Sequence, residues 1–225
     1  MFTIFREFST LCDFLRGRMK YLSYRASDED CFGCIVDGGI ANLKARSGLV
    51  DLAAYISVHF NTLGEETDLV PEHSEEDVRF LPVITRPGKV LCVATNYHEA
   101  EASMDQRPHY PLTFTRFAVS QTGHDEPLPK PHVSDKFDYE GELAVIIGRT
   151  AHRVSEQEAL SHVAGYSCFM DGSVRDWQKH STQFTPGKNF AHTAGFGPYL
   201  VSADEVPNPA GLLLETYVNG ELRQS

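Results

Sequence analysis

The sequence predicts an α+β protein that is mainly β. Three observations carry this. Short apolar runs separated by turn residues recur along most of the 225 residues, only a few segments show helical spacing, and Val218-Asn219-Gly220-Glu221 has the form of a two-residue hairpin turn. Asn-Gly takes positive φ readily at both central positions of such a turn.

The elements follow in order. Phe2, Phe5, Phe8, Leu11 and Leu15 recur at helical spacing, but Arg6, Glu7, Asp13 and Arg16 break any apolar core a signal peptide would need. Residues 1–18 therefore read as an N-terminal extension, and the cytoplasm is the default compartment. Tyr21–Tyr24, Cys34–Val36 and Ile40–Leu43, separated by turns, predict a small β meander. Leu52, Ala53, Ile56 and Phe60 share one face of a helix over 49–60. Residues 61–80 are acidic and read as a surface helix and linker. The division expected is a small N-terminal β-rich domain and linker over 19–82, then a catalytic domain over 83–225.

Lys89–Thr95 predicts a strand, His98–Met104 a helix stopped by Pro108 and Pro111, and Leu112–Val119 another strand. Leu143–Ile147 is a continuous apolar β run. Ser155-Glu156-Gln157-Glu158 has capping-box spacing and should open a helix to about Val163. Tyr166–Met170, Phe196–Val201 and Leu212–Val218 complete the strands.

Composition narrows the function. The net charge is −11, from 31 acidic and 20 basic residues, and no dense Lys/Arg run exists to meet a nucleic-acid backbone. No stretch is apolar for 18 residues, which argues against a membrane span. Five cysteines, an odd number in a long chain, argue against a disulfide framework. Cys31 and Cys34 form a lone C-x-x-C and read as buried thiols, not as a redox or zinc site.

Glu140 and Glu142 lie two apart at the mouth of the Leu143–Ile147 strand, so both carboxylates point the same way. Alone, this pair reads more readily as two solvated glutamates at an exposed strand start. Asp171 closes another apolar strand and offers a third carboxylate, and Arg175, Gln178 and Lys188 follow closely. Three carboxylates without a well-placed His or Cys suit a hard cation, Mg²⁺ or Mn²⁺. Arg175 and Gln178, three apart, share a face if Ser173 starts a short helix.

These residues carry a resemblance. Asp138-Tyr139-Glu140-Gly141-Glu142-Leu143 through Ile147-Gly148, then Gly165-Tyr166, Asp171, Ser173, Arg175-Asp176 and Gln178, then Gly187-Lys188-Asn189-Phe190, Gly197-Pro198 and Val218-Asn219-Gly220-Glu221 with Gln224, resemble the fumarylacetoacetate hydrolase family in order and spacing. The resemblance implies a mixed β-roll catalytic domain, a homodimer, and a divalent cation on Glu140, Glu142 and Asp171. It also implies a 2-oxo or 1,3-diketo acid substrate, with Lys188 touching substrate or metal shell and Arg175 and Gln178 holding a carboxylate.

Two departures stand out. The family's His and Glu dyad falls on His98 and Glu101, two residues early after Asn96-Tyr97. Two residues turn a helix by about 200°, so either the dyad is reshaped or His98 is a solvent-facing residue. The family's roll also continues beyond the point matching Ser225, so a C-terminally incomplete roll is expected. The functional expectation is metal-dependent hydrolysis of a C–C bond in a keto acid of acylpyruvate type. Oxaloacetate decarboxylation, isomerisation and a non-catalytic metal-binding remnant are the alternatives.

Overall fold

A computed structural model describes residues 19–96 and 110–225. The expected extension over 1–18 and the helix from His98 to Met104 lie outside the described residues.

The described chain is α+β and mainly β, as expected. It opens with a meander of β1 (Lys20–Ala26), β2 (Glu29–Val36) and β3 (Gly39–Asn42). Asp37 and Gly38 take positive φ between the last two strands, a conformation that glycine adopts freely and aspartate tolerates. Helix α1 (Leu43–Ser47) follows, and α2 (Leu52–His59) is capped by Asp51, whose carboxylate accepts from the Ala54 amide at 2.9 Å.

The acidic stretch over 61–80 does not form the expected surface helix. It holds one short 3₁₀ turn at Glu75–Asp77 and then β4 (Arg79–Phe80). Ahead of that turn the backbone pairs with β3 instead, the Ile40 amide donating to His73 O at 2.8 Å. Pro71 also withholds a helical donor.

Strands β5 (Val90–Ala94) and β6 (Leu112–Arg116) form a two-stranded sheet of their own. β7 (Gln121–Thr122), β8 (Phe137–Asp138) and β9 (Gly141–Ile147) follow. Ser155 and Glu158 make both halves of the expected capping box around α3 (Glu156–Ala159), and a 3₁₀ turn carries the chain to His162. β10 (Val163–Asp171) is buried along its whole length.

Then come β11 (Ser173–Val174), α4 (Arg175–Gln178) and α5 (Thr185–Lys188). The strand expected over Phe196–Val201 is split into β12 (Ala194–Phe196) and β13 (Leu200–Ser202). Gly197 at φ +141° and the Pro198 ring, which has no N–H for a ladder, divide them. β14 (Thr216–Val218) and β15 (Glu221–Gln224) close the chain as a hairpin, with Asn219 and Gly220 both at positive φ. The earlier part of the predicted strand, from Leu212 to Glu215, is irregular.

The main sheet runs β3-β2-β1-β13-β10-β12-β7, with β9 also on β10 and β4 on β1. β1 pairs with β13, so the N-terminal strands and the later ones share one sheet. Tyr21, Phe32, Cys34, Leu52, Tyr55, Ile56, Phe169, Phe196 and Leu200 form the largest core cluster, α2 lying on it. Each large apolar side chain fully buried there contributes roughly 1.5–3 kcal/mol. Among the described residues no helix is long and apolar enough to cross a membrane. Cys31 and Cys34 are buried free thiols, as read from the sequence.

Candidate active site

The long central strand β10 ends in Asp171, and its neighbour β9 begins just after Glu140. The two strands are registered so that Glu142 faces Phe169 across the ladder, and the Asp171 amide donates to Glu140 O at 2.8 Å. This pairing brings together carboxylates that are 31 positions apart in the chain.

Lys188 reaches the same place from α5. Its side chain is 2% exposed, and its ammonium donates to Glu140 Oε2 at 2.5 Å and to Asp171 Oδ2 at 2.8 Å. The ring of Phe114 lies 4.9 Å from the same nitrogen. Gly187 makes this approach feasible: a methyl group there would lie 2.4 Å from the Gln178 nitrogen. α4 and α5 therefore pack at a distance that only glycine permits.

Arg175 opens α4 directly after β11, two residues later than the helix start read at Ser173. Its Nε donates to Asp138 Oδ2 at 2.8 Å, its Nη1 donates to Glu140 Oε1, and Nη1 also reaches Gln178 Oε1 at 3.2 Å. The structure thus brings Arg175 and Gln178 together. It engages most of the guanidinium with Asp138 and Glu140.

Glu142 differs from its neighbours. It is half-buried, and among the described residues it has no ion-pair partner within 4 Å. Burial first, then the charges of Glu140 and Asp171, push its carboxyl up to about 7. Burial also acts against the charged form of Glu140, but Lys188 and Arg175 outweigh it and hold that carboxyl below its ordinary value.

Three more residues belong to this cluster and were not singled out in the sequence. Arg116, fully buried at the end of β6, donates to Asp171 Oδ1. Phe114 covers Lys188. Cys92 on β5 turns inward, and burial foremost, then the charge of Asp171, drives its thiol up to about 12. Strand alternation is the signal that could have found Arg116. Leu112-Thr113-Phe114-Thr115-Arg116 puts the arginine on the same face as the buried Phe114.

Three cations (Arg116, Arg175, Lys188) meet four carboxylates (Asp138, Glu140, Glu142, Asp171), and among the described residues Glu142 is the one of the four without a salt bridge, feeling Lys188 only at longer range. Among the described residues no three His, Cys, Asp or Glu side chains already converge as a metal-ligand set. The donor chemistry nonetheless fits a hard divalent cation: oxygen donors only, one of them a half-buried carboxylate without a salt-bridge partner among the described residues. His98 and Glu101 lie outside the described residues.

Comparison with known proteins defines the class. Residues 89–225 match the family model "Fumarylacetoacetate (FAA) hydrolase C-terminal", and the chain belongs to this family. It is 40% identical over 159 residues to oxaloacetate tautomerase YisK of Bacillus subtilis strain 168, covering 68% of this chain and 52% of the relative. To the human mitochondrial oxaloacetate tautomerase FAHD2A it is 35% identical over 201 residues, covering 84% and 63%. The chain thus spans between half and two-thirds of the length of these relatives. Among solved structures, a fumarylacetoacetate hydrolase from psychrophilic Exiguobacterium antarcticum superposes with a TM-score of 0.78 at 32% identity, covering 92% of this chain and 74% of that one. A maleylpyruvate hydrolase from Sphingobium sp. SYK-6, solved with manganese(II) and pyruvate, shares the fold at a TM-score of 0.73 and 22% identity, covering 92% and 75%.

Proposed function

We propose that this chain is a divalent-metal-dependent enzyme of 2-oxo acids, and that its reaction is keto–enol tautomerisation of an oxaloacetate-type dicarboxylic acid. The observation that carries this is the buried Lys188 ammonium seated between Glu140 and Asp171, beside an unpaired Glu142. Glu140, Glu142 and Asp171 would hold Mg²⁺ or Mn²⁺. When bound, the cation would supply Lewis-acid polarisation of the 2-oxo group.

The chain's own groups would supply charge stabilisation and orientation. Tautomerisation moves one proton between C3 and the 2-oxo oxygen and breaks no C–C bond. It calls for stabilised negative charge on that oxygen, and Lys188 Nζ is the buried cationic donor for it. Arg175 keeps one N–H beyond its bonds to Asp138, Glu140 and Gln178, and this donor with the Gln178 amide would hold a substrate carboxylate. Two relatives named as oxaloacetate tautomerases support this choice.

Hydrolysis of a C–C bond in an acylpyruvate is the second reading, favoured by the likeness to a fumarylacetoacetate hydrolase. It needs a base to activate water, and His98 backed by Glu101 is the pair assigned to that step. A homodimer is part of the same proposal.

The test is to strip the protein with chelator and follow the ultraviolet enol band of oxaloacetate and of acetylpyruvate, with and without Mg²⁺ or Mn²⁺. Metal-dependent approach to keto–enol equilibrium, lost in Glu142→Ala and Lys188→Met, is the expected result. Loss of acetylpyruvate instead, with oxaloacetate interconversion unchanged from solvent, selects hydrolysis. No effect of folded protein on either acid sinks both.

A further inference from the structure

Arg116 lies 55 positions before Asp171, on a two-stranded sheet that among the described residues shares no ladder with the main sheet. Its side chain is 0% exposed. Nε donates to Ser120 Oγ at 3.2 Å, Nη1 to Asp171 Oδ1 and to Gly172 O at 3.1 Å, and Nη2 to Thr193 Oγ1 at 3.1 Å. Thr193 Oγ1 is itself fixed by donating to Phe190 O at 2.7 Å, and Ser120 Oγ by donating to Phe117 O at 2.8 Å.

A buried charge is costly, and an apolar side chain would fasten a hairpin without that cost. What an apolar side chain lacks is direction. A planar guanidinium held through Nε, Nη2 and one N–H of Nη1 presents the second N–H of Nη1 at a set angle. Asp171 receives that N–H on Oδ1 and the Lys188 ammonium on Oδ2. Opposed cations on the two oxygens leave the carboxylate one rotation about its Cβ–Cγ bond.

We propose that Arg116 is a positioning residue, whose anchored fork sets the rotation of the Asp171 carboxylate and so the aim of the ligand set. This rests on the reading of Asp171 as a cation ligand. Partners behind a ligating carboxylate are worth roughly tenfold to a hundredfold in metal affinity.

Arg116→Lys separates aim from charge. Lysine keeps the positive charge beside Asp171 but cannot hold Ser120, Thr193 and Asp171 together in a plane. The measurement is Mn²⁺ affinity, read from the free-ion electron paramagnetic resonance signal, on protein shown folded by near-ultraviolet circular dichroism. The expected result is affinity about tenfold weaker in Arg116→Lys, with Asp171→Asn adding less in that background than in the wild type. Unchanged affinity in folded Arg116→Lys overturns the proposal and leaves Arg116 as a stitch between sheets.

If that variant does not fold, Thr193→Val carries the same test. It keeps every charge and removes one anchor, so affinity should fall by about threefold, and no change overturns the proposal. If the wild-type chain binds no Mn²⁺, the metal reading fails separately. The Arg116–Asp171 link is then read from a cycle of Arg116→Lys or Thr193→Val with Asp171→Asn on the unfolding equilibrium, where additivity overturns it and coupling of fivefold or more sustains it.

Discussion

The Lys188 ammonium donates to Asp171 Oδ2 at 2.8 Å, and both side chains are all but removed from solvent. Glu140 shares the same ammonium. Removing the cation by Lys188→Met would leave two carboxylates facing each other, with Arg116 and Arg175 as their only other partners among the described residues. Breaking a buried ion pair on one side costs about 3–5 kcal/mol. The unfolding midpoint in urea should fall accordingly, and added Mn²⁺ should recover part of the loss if the carboxylates bind it. A midpoint within error of the wild type would contradict the buried pairing.

Glu142 gives a pH dependence of definite sign. Its carboxyl is raised from 4.5 to about 7 in the folded chain, by burial first and then by Glu140 and Asp171. Between those values the folded state binds a proton that the unfolded state has released. Stability therefore falls as pH rises from about 4.5 to 7. Because Glu142 is only half-buried, solvent screens part of the effect, and on the order of 2 kcal/mol is expected. Metal-stripped Glu142→Gln should lack this slope. Denaturation of both proteins at several pH values checks it, and parallel curves would refute it.

Gly187 is predicted to tolerate no side chain. A Cβ there would lie 2.4 Å from Gln178 N and 2.6 Å from its Cα, both backbone-fixed atoms. Gly187→Ala must push α5 from α4, which moves Lys188 relative to Glu140. Overpacking of this kind costs about 1–3 kcal/mol. The sharper expectation is a loss of turnover larger than the loss of stability, measured by activity beside thermal unfolding.

Most of this site was legible because its residues sit in short contiguous segments. Glu140 and Glu142 flank the start of an apolar strand, Asp171 ends the next, and Arg175, Gln178 and Lys188 follow within one loop-and-helix stretch. Periodicity places such groups at the edge of a core, and the family resemblance supplies their convergence. Alternation puts Arg116 on the face of Phe114, but its role was not legible, because nothing in the spacing names the partner 55 positions away. The meander, α2 and the Asn-Gly hairpin followed from local rules of alternation, capping and turn geometry. The acidic segment over 61–80 did not. Its backbone finds partners on β3, a long-range choice that propensity does not register.

The closing hairpin is tied to the site by one amide. Gln224 Oε1 accepts from the Gly141 N–H at 2.9 Å, and its Nε2 donates to Gly141 O at 3.0 Å, so the side chain pairs with β9 as a neighbouring strand would. Thr216 steadies it by donating to Gln224 Oε1 at 3.1 Å. Gly141 stands between Glu140 and Glu142, and a Cβ there would lie 2.0 Å from Thr216 Oγ1. Gln224→Leu removes both bonds and leaves the Gly141 peptide without its partner, at a cost of about 1–3 kcal/mol. The local expectation is more specific. The Gly141 amide should exchange with solvent faster while amides in the middle of β10 keep their protection, because opening one end of β9 does not unfold the sheet. Hydrogen exchange resolved by residue distinguishes this from general loosening. Equal acceleration at Gly141 and in β10 would mean that Gln224 supports the whole sheet. Unchanged exchange at Gly141 would mean that the amide pairing does not persist in solution.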